Sequence, residues 1–115
     1  MTKTDSRRLT ESLRGNLALL DRTRAERKQM LEDPEIQAFY DEDNVDEARK
    51  LIAIRYPNVG RESVLRREIT TEVISFSKSF GIELGAKPQY LETIYFDRVE
   101  AVARKLAGIP GGPVV

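Results

Sequence analysis

The chain contains no cysteine and no histidine. Without cysteine there is no disulfide framework, no thiolate metal site and no cysteine nucleophile. Without histidine the commonest general base and the imidazole metal ligand are missing together. A Ser-His-Asp or Cys-His centre therefore cannot be assembled within these 115 residues. Long hydrophobic runs are lacking as well. None approaches the ~18–20 residues that a membrane span needs, and the opening MTKTDSRRLTES has no apolar core of the signal-peptide kind. The expectation is a protein of the reducing cytoplasm, with no membrane association. The phosphate-cradling loops GxxxxGK and GxGxxG do not occur, and KSFGIELGAK resembles a glycine-rich loop only in passing. No cofactor or metal is expected.

An excess of either charge is missing too, since 19 basic side chains face 19 acidic ones. A neutral total argues against a general polyanion binder. The charges are nevertheless segregated. Residues 1–31 hold eight Lys or Arg and four Asp or Glu, residues 32–48 hold eight acids and no base, and residues 49–67 hold six bases and one acid. Arg outnumbers Lys by 13 to 6. Arginine suits bidentate, partly desolvated pairing with carboxylate or phosphate.

What is present is helical periodicity, punctuated by Pro and Gly. Leu9, Leu13, Leu17 and Leu20, and then Leu31, form a stripe whose opening 4-4-3 spacing is helical. This predicts a first helix over about 5–32, capped by Thr4 or Asp5 and about 40 Å long. Asp33-Pro34 ends it and opens a short second helix to about Tyr40, with Ile36, Phe39 and Tyr40 on its buried side. A third helix starts after Asn44 and ends at Tyr56-Pro57. A fourth covers about 61–80, with Val64 or Leu65, Ile69, Val73, Phe76 and Phe80 inward and Gly81 as its C-cap. A fifth runs from Pro88 to Gly108, with Leu91, Ile94 or Tyr95, Val99, Val102 and Leu106 on one side. The expected architecture is all-α, of four to five helices. The long N-terminal helix packs on the two C-terminal ones in a single domain over 1–107, and 108–115 form a flexible tail. A helix that long in so small a chain calls for a long partner, so a homodimer is expected.

The stretch YDEDNVDEARK (40–50) packs five carboxylates into a few positions: Asp41, Glu42, Asp43, Asp46 and Glu47. Read as a calcium loop it fails. Val45 stands at the third ligand position, Asp46 replaces the turn glycine, and Ile52 takes the place of the bidentate Glu. Read as a helix start it fits, because Asn44 and Glu47 have capping-box spacing and acids in the first turn suit the helix dipole. These five acids also make an acidic segment able to dock on something basic.

The first helix carries an anomaly. Beyond Leu20 its stripe lands on Arg24 and Arg27. They could line an anion pocket with Arg66, Arg67 and Glu62, pair across a helix interface with the acids of 41–47, or sit wet beyond the core. Buried charges must be paired, which weighs against the first reading. Arg22, Arg24, Arg27 and Lys28 also give a basic face. However, no helix-turn-helix glycine, zinc-finger spacing or aromatic platform accompanies them, so nucleic acid is possible but not favoured.

LRGNLALLD (13–21) resembles the opening of the all-helical chorismate mutases, and VISFSKSFGI followed by PQYLETIY (73–95) resembles their second and third helices. The likeness covers about a third of the chain and consists mostly of hydrophobic spacing. It implies a pericyclic rearrangement assisted by placed cations and hydrogen bonds. The carry-over departs from the family in detail. A glutamine expected on the last helix falls at Leu106, an arginine expected on the second falls at Leu65, and its neighbouring glutamate falls at Arg66. Glu62 and the arginines of the first helix are what remains. The expected role is a non-catalytic interaction, adaptor or regulatory protein working through a charge-patterned helical surface. A small enzyme acting on an anionic metabolite is the alternative, and a DNA- or RNA-binding regulator comes third.

Overall fold

The computed structural model describes residues 3–79, 81 and 83–108, with side chains from residue 7 onward. Among the described residues the regular structure is entirely helical: α1 (Lys3–Glu32), α2 (Pro34–Asp41), α3 (Val45–Arg55), a 3-10 turn (Val59–Arg61), α4 (Glu62–Ser79), α5 (Pro88–Leu91) and α6 (Phe96–Ala107). None of these helices is long and apolar enough to cross a membrane.

The chain forms two compact units. One comprises residues up to Leu19 together with those from Ser63 onward, and the other comprises Leu20–Glu62. In the first unit Leu13 and Leu17 of α1 are fully buried, as are Ile69 and Val73 of α4 and Val99 and Ala103 of α6, with Leu65, Phe76, Leu91, Phe96 and Ala107 nearly so. Arg14 of α1 reaches α6, donating from Nε to the Ala107 carbonyl at 2.6 Å. That carbonyl is one of the four a helix end leaves without an intrahelical partner. Gly108 closes α6 at φ 67°, its N–H directed to Arg104 and Lys105 carbonyls. A side chain there would be strained by the left-handed backbone and would crowd Arg14.

The second unit buries much less. Leu20, Ile36 and Ala48 are its buried apolar residues, joined by Thr23, Asp33 and Glu62. α2 and α3 form an antiparallel hairpin. Proline at the first position of α2 costs no hydrogen bond, and Asp33 before it accepts from the Glu35 N–H at 3.1 Å, as its sequence position predicts.

Several expectations need correction. α1 is already helical at Lys3, so neither Thr4 nor Asp5 is its cap. Leu31 is 59 % exposed; continuing the line from Leu20 through Thr23 and Arg27 brings Met30 inward instead. Tyr40 faces solvent as well, and of Val64 and Leu65 it is Leu65 that is buried. Asn44 holds the N-cap position of α3 but makes no side-chain capping bond, and Glu47 turns to Lys50 Nζ at 3.1 Å, so the capping box does not form. The fifth helix is interrupted. At 92–95 the Tyr95 N–H bonds the Tyr90 carbonyl five residues back, at 2.9 Å, which breaks the regular ladder and rephases the stripe. Phe96, Val99, Ala103 and Ala107 point inward in α6, whereas Ile94 is 72 % exposed. Residue 80 of the expected α4 stripe, and 109–115 of the expected tail, lie outside the described residues.

Candidate functional site

The charged residues singled out in the sequence fall into three settings. The first is Arg27. It is half-buried on α1 and forms an ion pair with Glu62, whose side chain is 6 % exposed. A carboxylate so buried needs a cation or must lose its charge, and Arg27 supplies one from within the same unit. Arg24, one turn earlier, is half-buried.

The second setting is the first unit. Arg66 lies over the Phe96 ring at 5.0 Å, and Arg67 stands 3.7 Å from Glu92. Arg67 also lines a groove of about 400 Å³ with Ser12, Asn16, Glu68, Thr71 and Glu72. Two carboxylates against one guanidinium give that groove no preference for anions. Arg66 and Arg67 are thus each engaged at their own contacts rather than converging on one point.

The third setting is the tip of the α2/α3 hairpin. Asp41 ends α2, Glu42 to Asn44 form the turn, and Asp46 and Glu47 lie in the first turn of α3. All five acids are exposed. Tyr40 and Val45 flank the turn and are 42 % and 36 % exposed. Asp43 has a left-handed backbone at φ 58°, a conformation that Asp and Asn accept more readily than other side chains. The described carboxylates form no group of three or more placed to hold a metal ion.

The hairpin is tied at its other end by a network the sequence reading missed. Asp33 accepts from Arg55 Nη1 at 2.9 and 3.2 Å and from the Tyr56 hydroxyl at 2.9 Å, while Arg55 Nη2 donates to Glu35 at 3.0 Å. The C-terminal end of α3 is thereby bonded to the N-cap of α2. Burial by itself would raise the Asp33 carboxyl. The bonds from Tyr56, Arg55 and the Glu35 and Ile36 N–H groups outweigh it and hold the carboxyl below its ordinary value. The Arg55 guanidinium is raised, first by its bond to Glu35 and then by Asp33. The Tyr56 phenol is raised chiefly because its proton is held by Asp33. The available signal was that Asp33-Pro34 opens α2 and Tyr56-Pro57 closes α3, two short helices of 8 and 11 residues in succession. An antiparallel return brings such ends together.

Compared with protein-family models, with curated proteins and with solved structures, the chain matches none. The resemblance to chorismate mutases gains nothing from these comparisons. Within the fold, the segment likened to that family's third helix is the short α5 and an irregular turn.

Proposed function

We propose that this chain is a non-catalytic interaction protein that docks through the acidic tip of the α2/α3 hairpin. The observation that carries the reading is the combination at that tip. Five exposed carboxylates surround two partly exposed apolar side chains, Tyr40 and Val45, on a hairpin whose far end is locked by Asp33, Arg55 and Tyr56. Charge supplies steering and selectivity, the apolar pair supplies contact area, and a fixed hairpin lowers the ordering cost of binding. The chemistry fits a basic protein surface. The first candidate is α1 of a second copy, where Arg22 and Lys28 toward one end, and Arg7 and Arg8 toward the other, are exposed, which agrees with the expected homodimer. The anion-pocket alternative is weakened because Arg27 already serves Glu62.

The test combines light scattering with titration of an arginine-rich helical peptide, on wild type and on a tip variant carrying Asp41→Asn, Glu42→Gln, Asp43→Asn, Asp46→Asn and Glu47→Gln. The reading expects a species of twice the 13.1 kDa chain mass and salt-sensitive peptide binding, both weakened in a variant that still folds. A monomer that ignores the peptide, or that binds duplex DNA in its place, would overturn it.

A further inference from the structure

One side of α6 turns into the core of the first unit through Phe96, Val99, Ala103 and Ala107. On the other side Asp97 and Arg98 are exposed, and Ala101 is half-buried. Ile94 stands in the turn just before α6. It is the most exposed large apolar side chain of this unit among the described residues, and Tyr95 next to it is partly exposed. Arg98 lies over the Tyr95 ring at 4.4 Å, and its Nη1 comes within 3.8 Å of where a Cβ on Gly85 would stand. A long side chain stacked in this way has less rotamer freedom to lose when it binds.

Asp97 and Arg98 carry opposite charges at consecutive positions. Consecutive side chains on a helix do not face each other, and among the described residues neither takes part in an ion pair. A uniformly basic partner would be repelled by Arg98. A uniformly acidic one, or a nucleic acid, would be repelled by Asp97. A copy of the same face meets neither objection. Across a two-fold axis residue i touches j and j touches i, so Arg98 of each copy meets Asp97 of the other.

We propose that this face of α6 docks on the same face of a second copy, antiparallel about an axis between Asp97 and Arg98. Ile94 lies three residues before Asp97, and Ala101 three residues after Arg98. In this register the exposed Ile94 of each copy falls on the small Ala101 of the other. Two Arg98–Asp97 pairs occupy the centre, and an Ile94–Ala101 contact flanks each. Tyr and Arg are the residue types that interfaces favour. The contact goes beyond the tip reading and shares with it only the expected homodimer.

Sedimentation of the full chain over a concentration series tests this. The samples are wild type, Asp97→Arg, Arg98→Glu, an equimolar mixture of those two variants, Ile94→Asp, and the tip variant described above. Wild type should associate with itself. Asp97→Arg places two cations on the face and Arg98→Glu two carboxylates, so each should self-associate at least about tenfold more weakly. Their mixture should recover a one-to-one complex, which misfolded variants could not form. Ile94→Asp should weaken association by a similar factor. Wild type that stays monomeric, single variants that associate as wild type does, or a mixture no better than its components would each overturn the proposal. Association lost in the tip variant but kept in all three α6 variants would overturn it and leave the tip reading standing. Association kept in the tip variant, lost in the α6 variants and regained in their mixture would support the α6 contact and count against the tip.

Discussion

The two units are held together by different physics. In the first, apolar side chains from α1, α4, α5 and α6 close a core that among the described residues holds eleven buried hydrophobic ones: Leu13, Leu17, Leu65, Ile69, Val73, Phe76, Leu91, Phe96, Val99, Ala103 and Ala107. Its buried ion pair, Glu100 with Arg104 at 3.0 Å, is local to one helix. In Leu20–Glu62 the buried apolar residues are three: Leu20, Ile36 and Ala48. A segment that small cannot gain enough from burial alone. What it has besides is polar ties between segments distant in sequence, of the kind that in the first unit (Arg14 to the Ala107 carbonyl, Asn16 to Glu72, Arg67 to Glu92) only supplement a much larger apolar core. Its own ties are Asp33 to Arg55 and Tyr56, Arg27 to Glu62, and Asn58 to Glu26. Hydrophobic burial is indifferent to pH and largely to moderate salt, whereas charged ties are not. The comparison therefore makes the second unit the condition-sensitive part of the molecule, and it is the part that carries the acidic tip.

The largest effect should come from the apolar side. Leu17→Ala removes a fully buried side chain and should cost about 2–5 kcal/mol through lost transfer energy and the cavity left behind. Chemical denaturation checks it. A loss under about 1 kcal/mol would mean that the first unit's core is looser than its burial implies.

Arg27→Met comes next. It deprives the buried Glu62 of this ion pair, while Arg27 is itself 42 % exposed and part-solvated. The expected cost is therefore ~1–3 kcal/mol, below the full penalty of a buried pair broken. Adding Glu62→Gln should recover part of the loss, and a double-mutant cycle reads the coupling. No coupling would remove Arg27 from the account.

The pH dependence sharpens the contrast further. Asp33 is held below its ordinary carboxyl value in the folded state. Its contribution is therefore present above about pH 4 and is lost as pH falls through the lower folded value. Asp33→Asn keeps a good N-cap residue but removes the charge facing Arg55. At pH 7 the variant should melt below wild type, and the gap should close in acid. A parallel offset at every pH would show that shape rather than charge matters at this position.

The smallest effect is expected at the turn. Because the Asn44 side chain makes no capping bond, Asn44→Ala should stay within about 0.5 kcal/mol of wild type, short of the ~1 kcal/mol a working cap contributes. A full-sized loss in a urea melt would restore the capping box.

The difference between the units also sorts what the sequence could reveal. Stripes such as Leu13–Leu17–Leu20 and Leu65–Ile69–Val73–Phe76 repeat every three or four residues, so the helices and their inward faces were readable from spacing alone. Asp33 as a cap was readable because the preceding-proline rule is local. The irregular 92–95 turn was not readable, since the spacing of Leu91, Tyr95, Val99, Val102 and Leu106 continues smoothly through it. The five tip acids were visible as a block, but Tyr40 beside them was expected inside. The Asp33–Arg55–Tyr56 network spans more than twenty positions. No periodicity encodes such a pairing, and it follows only once α2 and α3 are known to return on one another.

Hydrogen exchange followed residue by residue, at pH 7 and near pH 3, on wild type and Asp33→Asn, tests the account most directly. With intrinsic rates divided out, protection of the α2 and α3 amides should fall on acidification in wild type, while α4 and α6 amides keep theirs. In Asp33→Asn the α2 and α3 protection should already be low at pH 7 and change little. Uniform loss of protection across α2, α3, α4 and α6, or α2 and α3 amides untouched by either acid or the substitution, would contradict the claim that charge holds this part of the chain.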